Sequence, residues 1–351
     1  MHPKDYEKYS RQILFTPIGE AGQERLLASS AVLVGCGALG TVLASLLVRA
    51  GLGKLRIVDR DFVEPSNLQC QTLFDEADAR DALPKAVAAE RRLRAINSGV
   101  GVEGVVADLT PKNAAELLGS FPLILDGADN FETRFLVNDA AVAFGVPWIY
   151  GAVVASYGVT MTVRPGETAC LACLLEHDAR RETHGVEETC DTVGVLNSAV
   201  NVIASIQAAE AVKLLSGNTP ALHGRLISFD VWSGQYQAIR VARNSACRAC
   251  ARRELRYLEG EAQPHITMCG RDSVQIHERS RALDLAALRV RLAAVVAEVR
   301  CNDFLLRFSV PPAANDGAPY EVTVFADGRA IIKGTRDPAV ARSLYARFIG
   351  S

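Results

Sequence analysis

Three features of this sequence predict an α/β protein built on a doubly wound, mostly parallel sheet. A short apolar run, Ala31-Val-Leu-Val34, leads at once into Gly35-Cys-Gly-Ala-Leu-Gly40, and Thr41 to Ala50 follows with apolar residues at helical spacing. A second apolar run, Lys54 to Asp59, ends in an acid about twenty residues beyond the glycines, the spacing at which a carboxylate meets ribose hydroxyls. Strand-like and helix-like stretches then keep alternating as far as Val153.

The glycine turn is a phosphate site by construction. Free backbone N–H groups and the positive end of the helix dipole converge on one point, and Gly35, Gly37 and Gly40 let a ligand approach the backbone. The sheet is therefore read as Rossmann-like, with a nucleotide over the carboxyl ends of its strands. Ahead of it, Lys4 to Gln23 is polar and predicts a short surface helix carrying Arg11. Behind it, Asp59-Arg-Asp-Phe-Val-Glu-Pro-Ser-Asn-Leu-Gln-Cys-Gln71 is a polar loop just beyond a strand end, so Asp59, Asp61, Asn67 and Gln71 are candidates to face the ligand. Pro84 signals the start of a helix to about Ile96, and Lys85 beside it can reach a phosphate.

Further along, Val102 to Ala107 reads as a strand and Asn113 to Leu118 as a short helix. Pro122 to Asp126 is another apolar strand ending in an acid, followed by the acidic turn Gly127-Ala-Asp-Asn130 and a helix over Phe135 to Phe144. Pro147 to Val153 is the next strand. From Gly158 the pattern alternates, as antiparallel strands do: Val159 to Val163, then Arg225 to Asp230 and Gln237 to Val241. Between them lie a polar stretch over residues 177 to 190, read as an exposed loop, and a long helix of small apolar residues over Gly194 to Leu215. The domain is expected to span 1–256. A linker reaches Gln263, and a small α+β domain occupies 264–351. Its expected elements are strands at Ser273–Ile276, Phe304–Val310, Tyr320–Ala326 and Arg329–Ile332, a helix over Asp284–Val299, and a last helix capped by Asp337 or Thr335. Asp327-Gly328 marks a hairpin.

Composition narrows the class. The chain has 351 residues, 49% of them hydrophobic, and a formal net charge of -2, which gives no support for a nucleic-acid face. Met1 to Glu7 is charged and lacks a signal core, and no apolar run approaches the ~20 residues of a membrane span. A cytoplasmic protein with no membrane or nucleic-acid partner is expected. Nine cysteines are many for that compartment, so paired ones point to metal or chemistry. Cys170-x-x-Cys173 and Cys247-x-x-Cys250 are two knuckles that together make a closed tetrahedral Zn²⁺ site; disulfides or free buried thiols are the alternative. Cys190 is solitary and closely precedes a helix start, which suits a thiolate nucleophile or sulfur carrier as well as an incidental cysteine. Cys36, inside the turn, reads as a packing residue.

A glycine turn alone equally fits a nicotinamide dehydrogenase. Against that reading, Asp59, Asp61 and Asp129 cluster beyond strand ends, as a Mg²⁺-triphosphate site needs and hydride transfer does not. Lys85 and the arginines suit charge neutralisation at a phosphate. No acid-base pair for hydride chemistry stands out.

Taken in order, Tyr9-Ser-Arg-Gln12, the Gly35–Gly40 turn, the Asp59–Gln71 loop, Pro84-Lys85, Asp126-Gly-Ala-Asp-Asn130 and both cysteine pairs resemble the ThiF/MoeB/HesA family, bacterial relatives of ubiquitin-activating enzymes. The resemblance covers roughly Lys4 to Arg253. The tail, with Cys269 to Gln275 and Asp327 to Gly334, is similar to an extension of some ThiF-like members rather than to a rhodanese domain. The resemblance implies ATP with Mg²⁺ over Gly35, Gly37 and Gly40, Asp59 on the ribose with Asp61 beside it, and Asn67, Gln71 and Lys85 on phosphates. It implies Mg²⁺ on Asp129, next to Asn130, and Arg11 reaching across a homodimer into the partner's site. The implied substrate is the C-terminal glycine carboxylate of a ubiquitin-like sulfur carrier protein of the ThiS/MoaD kind. The implied product is an acyl adenylate for thiamine, molybdopterin or related sulfur transfer, with a cysteine desulfurase or sulfurtransferase as a further partner. Cys190 matches the family's crossover-loop cysteine, where a thioester or acyl disulfide forms. Cys70 departs from the family pattern, in which arginine at this place touches the triphosphate. This leaves a degenerate member, binding nucleotide or partner with little catalysis, as the alternative.

Overall fold

The structure is a computed structural model that describes residues 2–175, 193–260, 273–276, 283–296, 298–311 and 319–350. The chain divides into two compact units, residues 1–262 and 263–351. Cys190, Cys269 and the whole 177–190 stretch lie outside the described residues.

The first unit carries an eight-stranded sheet in the order β3-β2-β1-β4-β5-β6-β7-β8. Its strands are β1 (Ser30–Val34), β2 (Lys54–Asp59), β3 (Gly101–Val106), β4 (Ile124–Asp126), β5 (Trp148–Val154), β6 (Tyr157–Val163), β7 (Leu226–Asp230) and β8 (Gln235–Ile239). The first five run parallel and the last three antiparallel. Because strand order reverses between β1 and β4, their carboxyl ends border a crevice, the place where such sheets bind ligands.

Both faces of the parallel part are covered, which is why its strands read as continuous apolar runs. Along β1, Ala31 and Leu33 enter one core while Val32 and Val34 enter the other. The first core is closed by α3 (Ala38–Ala50), α5 (Lys85–Ile96) and α9 (Asn197–Leu215), which supply Leu43, Leu47, Leu93, Ile203 and Ala204. The second is closed by α6 (Ala114–Leu118) and α7 (Phe131–Phe144), with Trp148 fully buried at its centre. Each fully buried large side chain contributes about 1.5–3 kcal/mol.

Helix α9 has 19 residues and is apolar enough by length and composition to cross a membrane, which corrects the expectation that no run comes close. Here that apolar surface packs on α3, β5 and β6, with Ala199, Val200 and Ala204 buried. Its buried Glu210 accepts from Thr162 Oγ1 at 2.9 Å and pairs with Lys213 Nζ at 2.7 Å.

Several boundaries differ from expectation for local reasons. Two helices, α1 (Pro3–Ile13) and α2 (Gly19–Leu27), stand where one was expected. Helix α7 starts at Phe131, because Asn130 Oδ1 accepts the Thr133 amide and caps it there. Two short helices, α4 (Glu76–Arg80) and α8 (Leu171–Leu175), carry no periodic signal, and a single turn is too short to show one.

The second unit is a five-stranded antiparallel sheet in the order β10-β11-β12-β13-β9. Its strands are β9 (Ser273–Ile276), β10 (Val299–Cys301), β11 (Leu305–Val310), β12 (Tyr320–Phe325) and β13 (Ala330–Lys333), packed by α10 (Leu285–Leu292) and α11 (Pro338–Phe348). The helix expected over Asp284–Val299 ends at Leu292, and its last predicted residue opens β10 instead. Asp337 caps α11 through the Ala339 amide at 2.8 Å. Gly328, at φ +88°, turns the β12–β13 hairpin, as Asp-Gly predicts.

Candidate functional site

The crevice between β1 and β4 is made of backbone meeting backbone. Gly35 has φ +86°, and a Cβ there would lie 2.5 Å from the Gly127 carbonyl oxygen; a Cβ on Gly40 would lie 2.1 Å from that of Gly35. Gly37 differs, because it is the N-cap of α3 and has only the Gln71 amide nitrogen nearby, at 4.0 Å. Two of the glycines thus allow the turn to close, and the third leaves the helix N-terminus open to a ligand.

Asp59 locks this turn to the loop behind it. Its Oδ2 accepts the Cys36 amide at 2.6 Å and its Oδ1 the Asp61 amide at 2.7 Å. Burial pushes its pKa up to about 6, against the pull of Lys85. A carboxylate offers about four acceptor positions, so two remain for a ribose. Cys36 is fully buried and its thiol is pushed up by burial, which fits a packing residue.

The loop from Asp61 to Pro84 folds back on itself, with the Val63 amide donating to Leu83 O at 2.8 Å and Phe62 bridging Pro84. This delivers Lys85, 6% exposed, to Asp61, Nζ to Oδ2 at 3.2 Å. Burial opposes the Lys85 charge, but Asp61, Asp59 and Asp129 together hold it well above its ordinary value. Asn67 and Gln71 are buried in the same loop. Asn67 Oδ1 accepts the Glu64 amide at 3.1 Å. Among the described residues Gln71 Oε1 is buried without a hydrogen-bond partner, and Gln71 Nε2 lies 4.0 Å from where a Cβ on Gly37 would stand. The Gln71 amide nitrogen, which faces Gly37, is the donor that a phosphate oxygen at this helix N-terminus would need.

Asp129 is exposed beyond β4, and Asn130 Nδ2 donates to its Oδ1 at 3.0 Å. An outward carboxylate at a strand end, within electrostatic range of Lys85, fits a hard cation carried on a triphosphate.

Arg11 lies elsewhere. Its neighbour Gln12 donates to Ala50 O at 2.9 Å, and Tyr9 packs against Gly51, so α1 leans on the far end of α3. A helix of 13 residues places that end roughly 20 Å from the glycine turn. The structure therefore does not bring Arg11 to the turn of its own chain.

Cys70 is 8% exposed, and its Sγ lies 3.7 Å from Asn67 O. Of the two nearby arginines that could supply the missing charge, Arg56 pairs with Glu103 on β3 at 3.1 Å, while Arg60 pairs with Asp108 at 3.1 Å and also stands 3.9 Å from Asp61, beside the site.

The two cysteine knuckles meet. The four sulfurs of Cys170, Cys173, Cys247 and Cys250 lie within 4.8 Å of one another. Three of their separations are 3.9 Å (Cys170 to Cys173), 3.7 Å (Cys170 to Cys247) and 3.5 Å (Cys173 to Cys250). Thiolates at tetrahedral corners about 2.3 Å from zinc stand about 3.8 Å apart, whereas a disulfide needs about 2 Å. The set fits a zinc ion and excludes disulfides among the four.

At the opposite end of these strands from the knuckles, around the β5–β6 and β7–β8 turns, the antiparallel extension exposes aromatic residues: Trp232 at 83%, Tyr236 at 55% and Tyr157 at 45%. Val195 bridges Ala155 there, and the Leu196 amide donates to Ala155 O at 2.8 Å. Sequence reasoning passed over this patch, and it also missed Arg134 and Gln207. Each stands among other polar residues of its helix, Asn138 and Asp139 in α7 and Asn201 and Glu210 in α9, so no sequence signal singled it out.

A doubly wound sheet with an open helix N-terminus, a ribose-spaced acid and a Cys₄ knuckle defines a class of nucleotide-using proteins. The ThiF family profile matches residues 9–249, and the chain belongs to the ThiF family. It is 45% identical over 349 residues to a sulfur carrier protein ThiS adenylyltransferase of Bacillus subtilis (strain 168), covering 98% of this chain and 99% of that one. It is 36% identical over 252 residues to the protein of the same name from Escherichia coli (strain K12), covering 71% of this chain and 97% of that one. Among solved structures, E. coli MccB with succinimide aligns at TM-score 0.61 and 22% identity, over 69% of this chain and 74% of that one, a likeness of fold.

Proposed function

We propose that this chain adenylates the C-terminal glycine carboxylate of a small ubiquitin-like sulfur carrier protein, for thiamine, molybdopterin or related sulfur transfer in the cytoplasm. A carboxylate oxygen attacks the α-phosphorus of ATP, the bond from that phosphorus to the β-bridging oxygen breaks, and acyl adenylate and pyrophosphate result. The observation that carries the reading is identity to a ThiS adenylyltransferase that runs the whole length of both chains.

The residues divide the work. Asp59 accepts the ribose hydroxyls, and the turn at Gly35, Gly37 and Gly40 takes phosphate on its amides. Asn67, Gln71 and Lys85 hold phosphate oxygens, and Asp61 aims Lys85. Asp129, steadied by Asn130, holds Mg²⁺, which when bound neutralises charge building on the departing pyrophosphate. Arg11 serves the site of a second copy in a homodimer; its distance from its own turn supports this. Cys170, Cys173, Cys247 and Cys250 hold a structural zinc. Cys190 Sγ, losing its proton, takes the acyl group from the adenylate as a thioester and releases AMP; in the acyl-disulfide route the persulfide of a cysteine desulfurase or sulfurtransferase attacks the adenylate, releasing AMP, and Cys190 then attacks the acyl-side sulfur and releases the donor's thiol. The exposed Tyr157, Trp232 and Tyr236 suit a protein-sized substrate.

Exchange of pyrophosphate into ATP tests this. Exchange that requires a carrier ending in Gly-Gly is expected, and none with any such carrier overturns the reading. Cys70 favours a second reading, a member that binds nucleotide but turns over poorly. Cys70→Arg then raises exchange by about tenfold, the worth of one charge-assisted hydrogen bond; no gain removes the second reading.

A further inference from the structure

Behind the turn that projects Asp129 stand three buried polar side chains. Asp126, 1% exposed, ends β4. Its Oδ1 accepts the Ala128 amide at 2.9 Å, and its Oδ2 accepts Arg134 Nε and the Gly151 amide, both at 3.3 Å. Arg134, 6% exposed, donates from one terminal nitrogen to Ala128 O at 2.6 Å and Gly151 O at 3.1 Å. Its guanidinium also lies 5.4 Å from the Phe131 ring centre and 5.7 Å from that of Tyr150. Gln207, reaching in from α9, donates to Asp126 O at 3.0 Å and Ile149 O at 3.3 Å. Glycine at 151 makes that possible, since a Cβ there would come within 2.7 Å of the Gln207 amide.

A buried ion pair is no stabiliser by itself, because desolvation offsets most of its attraction. What distinguishes this one is where its bonds end. They fall on the backbone of residues 126–128 and on β5 beside it. The Asn130 cap holds the other end of the same turn at the start of α7. The backbone around Asp129 is thus fixed from both sides while its carboxylate stays outward.

We propose that Arg134, held by Asp126 and backed by Gln207, is a positioning residue that sets the Asp129 carboxylate for the divalent cation of a bound nucleoside triphosphate. This rests on Asp129 being the cation's ligand, as proposed above.

The test uses the full-length, zinc-loaded chain. ATP binding is measured by calorimetry across Mg²⁺ concentrations, and thermal melting is followed in parallel. The variants are Asp129→Asn, Arg134→Lys, Arg134→Gln and the double Asp126→Asn/Arg134→Gln, which removes both buried charges together. Arg134→Gln and the double variant are expected to need about tenfold more Mg²⁺ for half-maximal ATP binding, the usual cost of losing an outer partner of a metal ligand. Arg134→Lys recovers part of the loss, and Mg²⁺-free ATP affinity stays near that of the unaltered chain; Arg134→Gln alone melts lower because it leaves Asp126 buried and unpaired, whereas the double variant melts near the unaltered chain. An unchanged Mg²⁺ requirement overturns the proposal, and so does a loss equal with and without Mg²⁺. A double variant that no longer melts cooperatively also overturns it, because the pair would then be a determinant of folding. If Asp129→Asn leaves the Mg²⁺ requirement unchanged, the cation reading of Asp129 has failed, whatever Arg134 does.

Discussion

Asp59 is where burial and function pull in opposite directions. Its pKa in the folded protein is pushed from 3.8 up to about 6, because burial outweighs Lys85 and the two amides that favour the charge. Between those values the folded state keeps a proton that the unfolded state has released. The resulting stability is full below pH 3.8 and is lost as pH rises through about 6. Nucleotide binding has the reverse dependence, since only the ionised carboxylate accepts from two ribose hydroxyls. ATP affinity is therefore expected to fall by about tenfold per pH unit well below 6. Calorimetry from pH 5 to 8 checks this against Asp59→Asn, which binds more weakly and keeps only the titration of ATP itself. Matching pH profiles for the two proteins would refute it.

The glycine turn is an element in which Gly35 and Gly40 close the backbone and Gly37 leaves the helix N-terminus open, and alanine separates the two roles. Gly40→Ala puts a methyl against the Gly35 carbonyl, so it should destabilise the fold by about 1–3 kcal/mol and abolish binding. Gly37→Ala meets no neighbour closer than 4.0 Å, so its melting midpoint should stay unchanged while ATP binding weakens, because the methyl occupies phosphate space. Melting curves with and without ATP distinguish the two; equal destabilisation by both would sink the assignment. The cysteine knuckles are the second such element. Metal analysis should find one zinc per chain. Stripping it with a chelator should lower the melting midpoint by about 5 °C or more. A chain that melts unchanged after losing its zinc would show that the four sulfurs tie nothing together.

At the scale of the molecule, an E. coli relative is accounted for over 97% of its length by 71% of this chain. Adenylation is therefore expected to reside in the first unit. A chain ending at residue 262 should retain carrier-dependent pyrophosphate exchange within about threefold, because that unit has its own hydrophobic core. Loss of exchange from a truncated chain that still melts cooperatively would place the second unit in the reaction.

The architecture of the first unit was legible because its signals are local. Apolar runs ending in Gly or Asp, a glycine turn opening a helix, and cysteines at metal spacing all follow from chemistry within a few residues. They determined the parallel sheet, the nucleotide turn, the ribose-spaced acid and the knuckles. Tertiary structure decided what depends on residues far apart in the chain. It brought Cys170 and Cys247 to 3.7 Å across 77 positions and set Lys85 against Asp61 by folding a loop back on itself. It turned an apolar helix of membrane-spanning length into a core element and sent Gln207 from that helix to the end of β4. It also put Arg11 at the far end of α3, away from the glycine turn of its own chain. Sequence patterns report what each segment prefers to bury or expose; which buried polar groups meet is decided when distant segments pack.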